Sequence, residues 1–106
     1  MDYAVIRYGV KEDGVTENRA LVAKVFQELA ASAPDGLQYL VLELDDLEFL
    51  HIVGTADDNE VSPLPGLPAF KAFTANHADR RSTPISRSQA RIVGDYRMLA
   101  AAGKRT

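Results

Sequence analysis

The chain lacks the residues that several common kinds of functional site require. Its 106 residues include no cysteine, no tryptophan and only two histidines. Without cysteine there can be no disulfide, cysteine-ligated zinc site, iron–sulfur cluster or thiol catalysis. Two histidines are too few for a histidine-rich metal cage. We therefore predict no metal site and no cofactor.

Long apolar runs and an excess of positive charge are also missing. No apolar stretch approaches the ~18 residues of a membrane span, and the N-terminus has no basic region before an apolar run, so it does not resemble a signal peptide. The formal net charge is −3, which gives no positive field to attract nucleic acid. We predict a soluble cytoplasmic protein that binds neither membrane nor nucleic acid.

Periodicity and turn residues predict six elements in one domain over residues 1–99, with 100–106 as a flexible tail. The first half has a strand over 3–10, followed by a helix with Thr16 as its N-cap that ends at Pro34. Two strands follow, over 37–44 and 47–55, joined by a hairpin at Asp45–Asp46. A helix over 69–79, opened by Pro68, and a last strand over 88–99 complete the domain. The order β-α-β-β-α-β predicts a ferredoxin-like α+β fold, in which an antiparallel four-stranded sheet carries two helices on one face.

The predicted central hairpin is apolar on both faces. The segment LQYLVLEL has six apolar residues in eight, and LEFLHIV has five in seven. An antiparallel sheet with one wet face would alternate apolar and polar residues instead. Two helices cover only one face, and the chain has no further segment for the other. We therefore predict a homodimer in which the two sheets pack on each other.

A chain of this length and element order resembles the dimeric α/β-barrel superfamily, which includes the antibiotic-biosynthesis-monooxygenase-like proteins. The segments that carry the resemblance, between positions 3 and about 99, are YAVIRY, LEFLHIV, LPAFKAF and VGDYRML. The resemblance implies a ligand pocket in each subunit, between the sheet and the helices, where cofactor-free members oxidise polycyclic aromatic molecules. Haem-degrading members use a histidine on the second helix, an asparagine on the first strand and a tryptophan. This chain has no tryptophan and has Arg7 on its first strand, so haem degradation is not implied.

The two histidines are the candidate catalytic residues. His77 follows Phe70 and Phe73 at offsets of seven and four, so it lies on or beside the apolar face of its predicted helix. A neutral imidazole there is able to accept a proton, but a histidine at the rim of a core bonded to a backbone carbonyl fits the same pattern. His51 lies mid-strand among apolar residues, where it lines either the pocket or the dimer interface.

Arg7, Tyr96, Phe73 and Phe70 are the candidate substrate-binding residues. A strand at the start of this topology is central, so Arg7 needs a carboxylate or an anionic ligand. Glu43 is a possible partner across the sheet or across the dimer.

An acidic cluster follows the third predicted strand. Asp57, Asp58 and Glu60 lack the spacing and central glycine of a calcium loop, so we interpret the cluster as a solvated turn.

The sequence thus predicts a homodimer that binds a small hydrophobic or aromatic molecule in a pocket between sheet and helices. One alternative is a cofactor-independent monooxygenase-like enzyme that deprotonates its substrate with His77 or His51. Another is a non-catalytic module whose sheet face serves only to dimerise. A pocket is needed for the first two and not for the third.

Overall fold

A computed structural model describes residues 1–56 and 62–98 of the chain. Its strands are β1 (Asp2–Gly9), β2 (Leu37–Leu44), β3 (Glu48–Thr55) and β4 (Ser86–Ala90), and its helices are α1 (Val15–Ser32), α2 (Pro68–Ala75) and α3 (His77–Arg80), with short 3-10 turns at Glu12–Gly14 and Leu64–Gly66. None of the helices in this described part of the chain is long and apolar enough to cross a membrane.

The four strands form one antiparallel sheet in the order β2-β3-β1-β4. β1 is central, as predicted, and pairs with β3 on one side and with β4 on the other. All helices pack on one face of this sheet. The predicted ferredoxin-like α+β fold is therefore confirmed.

The strand register decides which side chains face the helices. Ile6 of β1 lies opposite His51 of β3, which lies opposite Val41 of β2, so these three residues share a face. Tyr8 and Phe49, two positions along, lie on the same face and are buried in the core. Apolar side chains recur at helical spacing in α1, so they lie on one side of the helix, and this side packs on the layer. The partly or fully buried members are Leu21, Val22, Val25 and Leu29.

No described helix packs on the opposite face of the sheet, although residues that follow β4 line a groove on part of it. Val5, Ile52 and Leu40 share one row across the strands, and Leu50 and Leu42 lie in the next row. Leu40 is 43% exposed and Leu42 is 41% exposed, although strand leucines are usually buried. We call the face that carries these five apolar residues the open face.

The last strand is shorter than predicted. β4 begins at Ser86 and ends at Ala90, whereas the sequence pattern predicted a strand over 88–99. Ala90 pairs with Tyr3, and β1 begins one residue before that, at Asp2. Because β1 offers no further partner, the apolar segment after Ala90 leaves the sheet and continues as an irregular arm over 91–98.

The second predicted helix is also different, because it is broken. α2 begins at Pro68, as expected, but it ends at Ala75, and α3 starts again at His77. Asn76 separates them with φ −119° and ψ 27°, which is outside the helical region. The break turns His77 and Arg80 inwards, and both side chains are buried.

Two predicted boundaries shift by one or two residues. α1 starts at Val15 after Gly14, so Thr16 is not its N-cap. The hairpin includes Leu47 as well as Asp45 and Asp46, and β3 starts at Glu48. The predicted tail over 100–106 and the acidic cluster of Asp57, Asp58 and Glu60 lie outside the described residues.

Arg7 and Glu43 do not form an ion pair across the sheet of one subunit. Arg7 lies on the open face and donates from Nε to Glu48 Oε1 at 3.0 Å. Glu43 lies on the helix face and accepts two hydrogen bonds from Arg19 of α1, both at 2.7 Å. The side chains of Arg7 and Glu43 point to opposite sides of the sheet, so they cannot meet within one subunit.

Candidate functional site

A cavity of about 350 Å³ lies between the helix face of the sheet and α2. Its walls are mostly apolar, and a group of polar aromatic and imidazole side chains occupies its buried side. The apolar lining includes Ile6, Val53, Leu64, Phe70, Phe73 and Ile85, and the polar group is Tyr8, Tyr39, His51 and His77. Arg87 and Gln89 of β4 and Asp2 of β1 also line the cavity.

His51 is held between two phenols. Tyr8 Oη lies 2.8 Å from His51 Nε2, and Tyr39 Oη lies 2.7 Å from His51 Nδ1. Phe26 of α1 stacks on Tyr39 with ring centroids 5.0 Å apart and fixes that phenol in place. Both nitrogens of His51 are therefore occupied, so this imidazole is able to pass a proton between Tyr39 and Tyr8.

Asn18 and Arg80 form a second layer behind Tyr8. Asn18 Nδ2 donates to Tyr8 Oη at 3.1 Å, and Arg80 Nε donates to Asn18 Oδ1 at 3.1 Å. Asn18 is 0% exposed and Arg80 is 4% exposed. Arg80 also donates to the Phe73 carbonyl at 2.8 Å and lies over the Phe73 ring. The carbonyl belongs to the last turn of α2, where the negative end of the helix dipole favours a cation.

His77 packs against the same cluster without a hydrogen bond at one nitrogen. Its ring stands nearly perpendicular to that of Tyr8, with centroids 4.4 Å apart, and lies 5.0 Å from that of Phe73. Its Nε2 is buried and has no hydrogen-bond partner among the described residues. Buried polar atoms are nearly always bonded, so this unpaired nitrogen is an exception, and it belongs to a residue that lines the cavity.

Burial keeps both imidazoles neutral at physiological pH. Desolvation, with a smaller effect of the nearby His77, lowers the pKa of His51 from 6.5 to about 4. Desolvation also lowers the pKa of His77 to about 4, and the charges of Arg80 and Arg81 act in the same direction. Each neutral imidazole carries one hydrogen and one lone pair; the lone pair of His51 already accepts a hydrogen bond from a phenol, whereas His77 has a nitrogen without a partner among the described residues.

The two phenols are kept protonated by the same environment. Burial raises the pKa of Tyr8, while the Asn18 hydrogen bond and the Arg80 charge partly oppose that rise. Burial and the neighbouring Tyr8 raise the pKa of Tyr39. Both side chains therefore keep their O–H at neutral pH; one O–H donates to His51 and the other is left for a different acceptor.

The structure brings four of the six predicted site residues together. His77, His51, Phe73 and Phe70 all line the cavity. Arg7 lies on the open face, outside the cavity. Tyr96 lies in the arm and lines a separate groove on the open face together with Leu40 and Ile52.

Sequence reasoning missed Asn18, Arg80 and Arg87 as members of this site. Asn18 lies three and seven positions before Leu21 and Val25, so it is a polar residue on an apolar helix stripe. That position was a usable signal, because a buried amide needs partners. No feature of the sequence marked Arg87 as a site residue, because its position at the cavity depends on how β4 pairs with β1.

The described residues contain no group of three or more histidine, cysteine or acidic side chains placed to hold a metal ion. The prediction that the chain uses no metal was made from its composition and stays a prediction.

The sheet order, the one-sided helices and the cavity between the layers define a ferredoxin-like α+β protein. Solved structures with the same fold include a candidate antibiotic biosynthesis monooxygenase from Nitrosomonas europaea, which is 11% identical with a TM-score of 0.73 over 89% of this chain and 100% of that one. The Mycobacterium tuberculosis protein Rv0793 is 19% identical with a TM-score of 0.69 over 90% of this chain and 98% of that one. A candidate antibiotic biosynthesis monooxygenase from Caulobacter crescentus is 14% identical with a TM-score of 0.71 over 88% and 90%.

The chain therefore has the fold of the antibiotic biosynthesis monooxygenase-like structures. No protein-family model matches the sequence, and no curated protein matches it significantly.

Proposed function

We propose that the chain binds a small aromatic or otherwise apolar molecule in the cavity between the sheet and α2. The observation that carries this proposal is a cavity of about 350 Å³ with apolar walls and four polar rings on its buried side. Ligand pockets are typically ~300–1,000 Å³, mainly apolar, with a few convergent polar groups. A module that only dimerised would fill this space with side chains, because protein interiors are close-packed.

We further propose that the binding protein is a homodimer joined through the open face. The open face carries exposed leucines on β2, and the arm adds exposed apolar side chains beside it. The exposed members of the arm are Ile92, Val93, Tyr96 and Met98, of which Val93 is 97% exposed. Contiguous apolar patches of this kind are rare on monomers. A second copy of the same face is apolar in the same way and needs no further protein.

The binding proposal is tested by filling the cavity. Ala4 lines the cavity from β1, so Ala4→Phe puts a ring into the ligand space without disturbing the open face. We expect wild-type protein to bind the neutral fluorescent probe N-phenyl-1-naphthylamine saturably. Ala4→Phe should lower the affinity at least ~10-fold, since the ring occupies space that the probe needs and each lost CH2-sized contact costs ~0.8 kcal/mol.

Ala23→Phe on the exposed side of α1 is the matched control, because it makes the same change away from the cavity. It should bind the probe as the wild type does. Native mass spectrometry of freshly purified protein then reports any molecule that copurifies. Equal probe binding by all three proteins, or no saturable binding by the wild type, would show that the cavity is not the ligand site.

A second candidate function is cofactor-independent oxidation of the bound molecule. The unpaired Nε2 of neutral His77, beside the phenol of Tyr8, supports it, as does the likeness of fold. An acidic methylene of an aromatic ketone would lose a proton to the imidazole, and the resulting carbanion would reduce O2. One oxygen atom becomes the new carbonyl and the other leaves as water, so CH2 and O2 give C=O and H2O without an external reductant.

His77→Gln tests the enzymatic candidate, with anthrone and air as the reactants. If His77 is the base, wild type should form anthraquinone faster than buffer, and the variant should lose ~10²–10⁴-fold in kcat, as is typical for removal of a general base. Circular dichroism and binding of N-phenyl-1-naphthylamine show whether the variant still folds. A wild-type rate equal to that of buffer contradicts catalysis on this substrate type and leaves the binding proposal standing.

A further inference from the structure

The hydrogen-bonded group of Tyr39, His51 and Tyr8 has one polar hydrogen that its two internal contacts do not use. With a neutral imidazole, Tyr39, His51 and Tyr8 together have three polar hydrogens, and their two mutual contacts use two of them. If His51 carries its hydrogen on Nε2, the free O–H belongs to Tyr8. If the hydrogen is on Nδ1, the free O–H belongs to Tyr39. Both phenols line the cavity, so one O–H there needs an acceptor in either tautomer.

Asn18 does not accept the Tyr8 O–H, because the atom that it presents to Tyr8 Oη is Nδ2, a donor. Its Oδ1 is turned away to the hydrogen bond from Arg80 Nε. The Arg80–Asn18–Tyr8 sequence of donors therefore runs in one direction, towards the phenol oxygen. Such a chain polarises the Tyr8 O–H and makes it a better donor.

Positive charge around the cavity is not balanced by ion pairs in the described part of the chain. Arg80 is 4% exposed, its Nη1 has no hydrogen-bond partner, and no described carboxylate pairs with it. Arg87 lines the cavity from β4 and likewise has no described carboxylate partner. Asp2, at the start of β1 and exposed, is the one acidic side chain among the described lining residues. A buried cation without a counter-ion is costly, so the site favours an anion.

We infer that the cavity recognises its ligand through an anionic oxygen, a carboxylate or an ionised hydroxyl, carried on an apolar ring. The free O–H of Tyr8 or Tyr39 donates to this oxygen, Arg80 supplies positive charge from behind Asn18, and Arg87 supplies it from β4. The apolar walls hold the ring. This inference rests on the proposed binding function and adds the charge of the ligand.

The test compares two probes that share a ring and differ in charge. Naphthalene-2-carboxylate and naphthalene-2-carboxamide are titrated into the wild type at pH 7.5 by isothermal calorimetry. We expect the carboxylate to bind at least ~10-fold more tightly, since a hydrogen bond to a charged group exceeds a neutral one by that order. Equal affinities or a preference for the amide would overturn the inference. Failure of both probes would instead count against the proposed cavity function.

A third probe distinguishes the two sources of the anionic oxygen. 2,4-Dinitro-1-naphtholate is an ionised hydroxyl at this pH, and tighter binding than that of the amide extends recognition to ionised hydroxyls. If only naphthalene-2-carboxylate exceeds the amide, the anionic oxygen is that of a carboxylate.

Substitutions test which side chains recognise the negative charge of the ligand. Arg87→Gln changes an exposed residue, so it should fold normally and weaken the carboxylate ~3–10-fold with the amide unchanged. Lys71→Gln, on the exposed side of α2 and outside the cavity lining, removes the same charge and should change neither affinity. Either Tyr8 or Tyr39 carries the free O–H, so both Tyr8→Phe and Tyr39→Phe are measured. The variant that removes the free O–H should lower the preference for the carboxylate over the amide ~10-fold. An unchanged ratio of the two affinities in all three cavity variants would overturn the assignment.

Discussion

Leu42→Asp is expected to convert the proposed homodimer into a folded monomer, with a dissociation constant raised by at least ~10³-fold. Leu42 lies on the open face and is already 41% exposed in the single subunit, so an aspartate there is solvated in the monomer. In a dimer joined through this face, the two-fold axis would bring two carboxylates into an apolar interface. Burying an unpaired charge costs several kcal/mol each time, and each ~1.4 kcal/mol is a factor of ten.

Val41→Asp is the matched variant, one residue away and on the other side of the sheet. Val41 lies opposite His51 and packs against the hydrophobic core. A carboxylate at this position is buried in the subunit itself, so we expect a large loss of stability, of ~3 kcal/mol or more, and a fall in Tm of more than ~10 °C.

Size-exclusion chromatography with light scattering, together with thermal circular dichroism, separates the two effects. The expected result is a monomer with native ellipticity for Leu42→Asp and an unfolded or weakly folded chain for Val41→Asp. A wild type that is monomeric at ~10 µM, or a Leu42→Asp protein that stays dimeric, contradicts the open-face interface.

Acidification from pH 7 to pH 5 is expected to lower the free energy of unfolding by about 2 kcal/mol through His51 alone. The pKa of His51 is about 4 in the folded chain and 6.5 when the imidazole is free. Between these values the unfolded chain binds a proton that the folded chain does not, so stability rises with pH in this window. The contribution reaches about 3 kcal/mol near pH 4, at ~1.4 kcal/mol per pKa unit, and is constant once both forms are protonated.

Urea unfolding at fixed protein concentration, at several pH values between 7 and 5, measures this dependence. His51→Gln removes one titrating group and should flatten the curve by about 2 kcal/mol over the interval. His77, whose pKa is also depressed to about 4, keeps a residual slope in that variant. Parallel curves for wild type and His51→Gln would show that His51 titrates alike in both states.

The low pKa of His51 and the proposed binding of an anion have a common physical origin. Burial of His51 between Tyr8 and Tyr39 desolvates its ring and lowers its pKa, and the guanidinium of Arg80 lies beyond Asn18 and Tyr8 in the same hydrogen-bonded chain. A protonated imidazole would add charge to a region that already has an uncompensated cation. An anionic ligand, in contrast, lowers the electrostatic cost of that cation.

Much of the fold was accessible from sequence because it depends on local periodicity. The apolar stripe of Leu21, Val25 and Leu29 predicts α1, and the prolines and glycines mark the ends of elements. The doubly apolar hairpin predicts an uncovered sheet face, and the exposed leucines of β2 agree with that expectation. The gathering of His51, His77, Phe70 and Phe73 follows from the same element order, once the helices lie on the face that carries His51.

The parts that were predicted wrongly depend on neighbours rather than on local pattern. The segment after Ala90 has apolar residues at Ile92 and Val93, but a strand needs a neighbouring strand to pair with. β1 starts at Asp2, next to the residue that pairs with Ala90, so it does not extend far enough to pair with this segment. The break at Asn76 is likewise not required by periodicity, since Phe70, Phe73 and His77 keep helical spacing through it.

By itself, the sequence determined the order of elements, the apolar faces and the absence of thiol and cysteine–metal chemistry. It also identified both histidines as candidate site residues. All of these depend on residue type and spacing along the chain. Only the tertiary structure decided that Tyr8 and Tyr39 bracket His51, that Arg7 faces away from the cavity, and that Arg80 lies buried behind Asn18. Those facts depend on strand register and on how α3 turns inwards; in the strands, a shift of one residue would send each side chain to the other face of the sheet.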